Sequence, residues 1–311
     1  MSKSFQDLKA KSVSGELLAQ YARQIRYNLG THKKTRLKKA GIENSRSLLH
    51  DEISKKHADK LFLELKRRAD LIGKDADKRL RFLTILHSVV DPTVEDIKPE
   101  VEQLTIHFKD ILGSMQLWSR GTIELEMVNL DILQRISKAR DDEARKLYVL
   151  SSLIPSREYQ GLLIPEDTTK SKVLVHCHVV VDLGSDPEEK NKKLFAKAKR
   201  VWKKSSYQVD IKQLFKNKTT AKNLRKIADY VTKGGNENLR YNAGFGRDLA
   251  EDLEAKIWRD GLGRSDKGGE TIEDERGLTV GEVQQLDELY CWLMKRRSDR
   301  RGYLLATSNL R

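Results

Sequence analysis

Two imidazoles, His176 and His178, sit one residue apart inside the run VLVHCHVVVDL, residues 173–183. Side chains alternate across a strand. Val173, Val175, Cys177, Val179 and Val181 therefore share one apolar face, and Leu174, His176, His178, Val180 and Asp182 share the other. Two neutral nitrogens on one face can touch a single divalent cation, although the pair taken alone also fits two hydrogen-bonded histidines on a half-exposed strand. The stretch GTIELEMV, residues 121–128, repeats the two-faced pattern, with Ile123, Leu125 and Met127 against Thr122, Glu124, Glu126 and Val128. If the two strands pair, Glu126 or Glu124 completes a His-His-carboxylate set with open positions. Such a set suits Mg²⁺ or Mn²⁺ when a phosphate adds a further oxygen.

A nucleophile stands further on, in AKNLRKIADYVTKGG, residues 221–235. Leu224, Ile227, Ala228 and Val231 form a helical apolar stripe. Tyr230 and Lys233 lie off that stripe and, three apart, are neighbours on the helix surface. A free phenol ionises near pH ~10, so its attack at neutral pH needs help. A metal on the phosphate and the Lys233 ammonium put positive charge where an attacked phosphorus gains negative charge. Gly234-Gly235 end the helix and are expected to release the chain beyond it.

Composition points to a polyanionic partner. The 311 residues carry a net charge of +14 and a pI of about 9.5, which favours nucleic acid. Residues 1–80 hold 20 Lys/Arg against 10 Asp/Glu, hence +10 of that total. Two cysteines, Cys177 and Cys291, form neither a disulfide framework nor a CxxC site, so a reducing cytoplasm is expected. The N-terminus has no apolar segment of signal-peptide type, and no run is long enough to span a bilayer. There is no GxxxxGK[ST] motif and no internal repeat.

The elements that must position these groups alternate irregularly. Strands are expected at 81–86, 121–128 and 172–182. Helices are expected at 15–29, 51–72 (ending at Gly73), 93–115, 131–153, 217–233, 247–258 and 278–297, with a polar Gly-rich linker over 261–277. This pattern predicts an α+β fold around one antiparallel or mixed sheet. Three regions follow: a basic helical region over 1–80, a catalytic domain over 81–245 and a helical C-terminal region over 246–311.

In this order the motifs resemble the HUH endonuclease superfamily, in particular the rolling-circle plasmid replication initiators. RFLTIL is similar to the family's first motif, HCH to its His-hydrophobic-His motif, YVTKGG to its YxxK nucleophile motif, and GTIELE stands where the family often supplies a third ligand. The resemblance covers residues 80–245. It implies a five-stranded antiparallel sheet flanked by helices and a Mg²⁺- or Mn²⁺-dependent nick in single-stranded or hairpin origin DNA. It also implies a 5′-phosphotyrosine on Tyr230 with a free 3′-OH, and host helicase and polymerase as further partners. The family's habit of following the acid with the strand's apolar end favours Glu126 over Glu124. Two departures stand out. Lys226 occupies the position where some plasmid initiators carry a Glu, and Tyr241 does not have the spacing of a second nucleophile. A single-tyrosine transposase shares this chemistry, as does a mobilisation relaxase, although relaxases usually carry a third His. A non-catalytic basic nucleic-acid-binding protein would explain the charge alone.

Overall fold

The computed structural model describes residues 33–130, 141–154, 171–215, 217–236, 239, 241, 277–295 and 304–307. Five strands, β1 (Leu80–Val90), β2 (Trp118–Val128), β3 (Lys172–Asp182), β4 (Val209–Gln213) and β5 (Leu304–Thr307), form one sheet. Its order is β4-β1-β3-β2-β5, and every neighbouring pair is antiparallel. Among the described residues the helices α1 (Asp51–Ile72), α2 (Val94–Ser114), α3 (Asp141–Ser152), α4 (Pro187–Val201), α5 (Thr220–Val231) and α6 (Val280–Lys295) flank it, with a short helical turn at Ala76–Arg79. The fold is α+β with a central antiparallel sheet, as the sequence predicts, and the histidine-bearing strand lies in the middle beside the Glu-bearing one. The helices expected at 15–29 and 247–258, and the start of the one at 131–153, lie outside the described residues.

β3 is central because ten of its eleven residues are buried, so both of its faces need cover. On one face Val175, Cys177, Val179 and Val181 pack with Ile97, Val101, Leu104 and Phe108 of α2 and with Leu194 and Ala198 of α4. The same core takes in Leu37, Leu48 and Leu49 from the first eighty residues and Val283, Leu286, Leu289 and Leu293 of α6. The described parts of the first and last regions thus contribute side chains to the core of the sheet.

The other face is apolar only at its two ends. At one end Leu61, Leu65 and Ala69 of α1 pack with Leu224, Ala228 and Val231 of α5 over Leu80, Trp118 and Val180. At the other end Val149, Leu150 and Leu153 of and just beyond α3 pack over Leu86, Val128 and Leu174. The polar side chains of β2 and β3 lie between these clusters.

Past its pairing with β5, which ends at Thr122, the outer edge of β2 is closed by side chains. The Tyr290 hydroxyl accepts from Leu125 N–H (3.0 Å) and donates to Leu125 C=O (2.9 Å). The Asn236 amide likewise accepts from Met127 N–H (2.6 Å) and donates to Met127 C=O (3.2 Å). Two side chains thus replace a strand and satisfy backbone groups that would otherwise be orphaned. This close approach needs Gly235, whose φ is 66° and where a Cβ would lie 2.2 Å from Leu125 O. The two glycines after α5 therefore hold the chain in close contact, Gly234 against the Leu48 backbone and Gly235 against β2, instead of releasing it.

Asp182 fastens α1 to the end of β3. It accepts from Arg68 Nε (2.8 Å), Arg79 Nε and Nη2 (3.0 and 2.8 Å) and Gly184 N–H (2.9 Å). Burial pushes its pKa up, but the hydrogen bonds from Arg79, Gly184 and Arg68 outweigh that and hold it below the usual carboxylate value. A depressed folded-state pKa means stability that is present above the unfolded pKa of about 3.9 and is lost as pH falls through the folded value. Asp182→Asn is expected to cost about 2 kcal/mol at neutral pH, because both arginines keep some access to water. In urea unfolding the wild-type advantage over Asp182→Asn should shrink below pH 4; an equal difference at pH 7 and pH 3 would contradict this.

Candidate metal centre

The β2–β3 register decides which acid meets the histidines. Thr122 lies opposite His178, Glu124 opposite His176 and Glu126 opposite Leu174. Glu124 Oε2 is 3.2 Å from His176 Nε2 and 3.9 Å from His178 Nε2. Among the described residues Glu124, His176 and His178 form the one group of metal-ligand type whose donor atoms all lie within 4.8 Å of one another. The geometry thus favours Glu124, the alternative, over Glu126 as the acid of the cluster. Both acids face the same way, but Glu126 is one pair further along, over Leu174.

This donor set fits a divalent cation. Ligand atoms at about 2.1 Å from a cation lie roughly 3 Å apart when adjacent in an octahedron; the Glu124–His176 separation of 3.2 Å matches that, and the Glu124–His178 separation of 3.9 Å is wider. Glu124, His176 and His178 are 4%, 3% and 5% exposed. Oε1 of Glu124 is buried without a hydrogen-bond partner, as is Oε1 of Glu126. A bare buried carboxylate oxygen is costly unless a cation meets it.

The outer contacts orient the ligands. The Thr84 hydroxyl lies 2.9 Å from His178 Nδ1, which leaves Nε2 to face Glu124. Phe82 stacks on the His178 ring at 5.4 Å and 9°, and the His176 ring meets His178 edge-on at 5.0 Å. The Thr122 hydroxyl donates to Val231 C=O (2.6 Å) and pins the C-terminus of α5 to β2 beside His178. That bond brings the Tyr230 ring to 5.1 Å from the His178 ring and 6.4 Å from Phe82. Tyr230 is 40% exposed, and Lys233 Nζ lies 4.4 Å from the centre of its ring. Tyr241, by contrast, is 7% exposed, with its hydroxyl donating to Glu282 and paired with Ser171 (3.0 Å). Burial and the Glu282 hydrogen bond push its pKa well above the ordinary value. It is a core residue.

The electrostatics suit cation binding at neutral pH. Burial, then the charges of His176, Lys233 and Lys212, push the His178 pKa well below its usual value, so His178 is neutral and free to ligate. Burial also lowers His176, but the hydrogen bond it donates to Glu124 and the charges of Glu124 and Glu126 outweigh that and raise the group. Burial raises Glu124. The His176–Glu124 pair thus keeps a shared proton that a metal must displace, and affinity should fall as pH drops.

The four side chains expected to act together, His176, His178, Tyr230 and Lys233, are brought to one place, with Glu124 in the acid position. Thr84, Phe82, Thr122 and Lys212 belong to the same site and escaped the sequence reading. Phe82 and Thr84 alternate within RFLTIL, which marks their face, but nothing local to the sequence pairs Thr84 with His178. Lys212 lies on β4, which was not recognised as a strand. No protein-family model matches the chain, and no curated protein or solved structure is significantly similar to it. The site therefore stands on its own geometry.

Mn²⁺ should raise the melting temperature of the wild type and of Glu126→Gln, and leave Glu124→Gln unchanged. Without metal, Glu124→Gln should melt at or above the wild type, because it removes a buried charge. Stabilisation of Glu124→Gln by Mn²⁺ equal to that of the wild type would exclude this carboxylate as a ligand.

Proposed function

We propose that this chain is a DNA nickase and strand transferase of the HUH type, which cuts single-stranded or hairpin origin DNA to start rolling-circle replication. One observation carries the reading. The exposed phenol on α5 stands against a buried two-histidine, one-glutamate cluster, with a lysine ammonium over its ring. Tyr230 is off the apolar stripe, 40% exposed and edge-on to the His178 ring, a placement that core packing alone does not call for.

In the proposed reaction the Tyr230 oxygen attacks a DNA phosphorus, a new Oη–P bond forms and the P–O3′ bond breaks. The phenol proton leaves to solvent, and the departing 3′ oxygen takes up a proton to become the 3′-OH. Energy is conserved in the phosphotyrosine, so the reverse attack by a 3′-OH rejoins a strand. Mg²⁺ or Mn²⁺ on Glu124, His176 and His178 would supply Lewis-acid polarisation of the phosphate. Lys233 stabilises charge on the phenolate and on the attacked phosphoryl group. Lys212 on β4, ion-paired with Asp210 (2.9 Å), is the least of the charges that depress the His178 pKa. Thr84 and Phe82 hold the His178 ring, and Thr122 holds the helix end that carries the nucleophile.

The test is incubation with Mn²⁺ and single-stranded DNA spanning the hairpins that flank the chain's own coding sequence, read on a denaturing gel. The wild type should give a covalent protein–DNA adduct, and chelator should abolish it. Tyr230→Phe should bind DNA but give no adduct, and His176→Ala or His178→Ala should give none. Lys233→Ala should slow adduct formation by about a hundredfold, the scale for losing one transition-state charge contact. An adduct from Tyr230→Phe would end this assignment.

A further inference from the structure

A second aromatic side chain is held out to solvent beside Lys226, which lies one helical turn before Tyr230. Phe215 follows β4 directly and is 60% exposed, while its neighbour Leu214 is buried between α1 and α5. Its backbone is fixed from below by Asn223, which is 3% exposed. The Asn223 side chain accepts from Phe215 N–H (3.2 Å) and donates to Phe215 C=O (3.0 Å), Lys218 C=O (3.3 Å) and Thr219 C=O (3.3 Å). A buried amide is thus spent on holding an apolar ring outside the core. Two ammonium groups attend the ring, Lys218 Nζ at 5.1 Å and Lys226 Nζ at 5.9 Å from its centre.

Lys226 links this ring to the site. It lies four residues before Tyr230 on α5, hence on the same side of the helix, with Lys222 one turn earlier; Lys233 follows just past the end of the helix. Four residues of helix rise about 6 Å, about two stacked nucleotides of a single strand. We infer that Phe215 is a nucleobase-stacking site for single-stranded DNA, with Lys222 and Lys226 holding the phosphates between the stacked base and the phosphate that Tyr230 attacks. This rests on the nickase reading for the identity of the strand at Tyr230.

The chemistry favours a single strand over a duplex. Every base offers a π-face to an exposed ring, whereas a paired base in a duplex does not. Base–aromatic stacking is stronger than the exposed cation–π contacts now on Phe215, so a base can displace the lysines from the ring and leave them to the phosphates. Because Asn223 already fixes the backbone, little order is lost on binding. The same arrangement gives Lys226 a role at a position where a Glu would repel the strand.

The experiment measures binding of a fluorescein-labelled single strand and its duplex by anisotropy in chelator, so that no chemistry occurs. Phe215→Ala should weaken single-strand binding about tenfold and leave duplex binding unchanged. Phe215→Trp should restore it, and Lys226→Glu should weaken binding and flatten its salt dependence. A 2-aminopurine placed near the nicked position should lose its stacking quench in Phe215→Ala. Unchanged single-strand affinity in Phe215→Ala, or an equal loss for both DNA forms, would overturn the stacking site. Adduct formation in Mn²⁺, read on the same proteins, separates the two readings. Single-strand loss in Phe215→Ala without any wild-type adduct would sink the nickase and keep the stacking site, and a wild-type adduct with unchanged binding would do the reverse.

Discussion

One oxygen of Glu124 is buried at the centre of a β-sheet and meets no donor. Burying a carboxylate and two imidazoles costs several kcal/mol unless their charges and lone pairs are matched, and the elements around them are arranged to impose that burial. The register brings Glu124 opposite His176, while Thr84 and Phe82 fix the His178 ring from the next strand. Such a group is better suited to cation binding than to stability, because apolar residues of similar volume would hold the sheet together without the penalty.

The same constraint explains why one face of the sheet has two apolar clusters instead of one. A continuous layer of helices would seal the polar groups off, and an open face would hydrate them. The α1–α5 pair covers one end and α3 the other, which leaves the polar residues lined by packed walls. Tyr230 lies at the boundary, with its helix anchored by Leu224, Ala228 and Val231 inside the cluster and its end tied by Thr122. The backbone that carries the Tyr230 ring is thus fixed on both sides. The opposite face takes most of the burial, which is where α2, α4 and α6 contribute.

Much of this was readable from alternation. HCH and ELE each carry polar groups at period two, which places both sets on one face whatever the partner strand, and the stripe of α5 leaves Tyr230 and Lys233 beside it. What alternation does not contain is register. Glu124 and Glu126 share a face and differ only in which residue of β3 lies opposite, and that depends on pairing along the whole strand. β4 and β5 went unseen because VDIKQ and LLAT are too short to show a period, and each is a strand only because a longer neighbour offers it an edge. Tyr290 and Asn236 leave no local signal, since they act as a strand for backbone groups more than a hundred residues away. Gly234-Gly235 read as a place of release, and the structure uses their missing side chains for close approach.

The most direct test is an anomalous difference map from a crystal soaked in Mn²⁺. The account predicts one strong peak within bonding distance, about 2.2 Å, of Glu124 Oε, His176 Nε2 and His178 Nε2, on the same side of the sheet as the Tyr230 ring. A peak elsewhere, or none at these atoms at Mn²⁺ concentrations that raise the melting temperature, would contradict it.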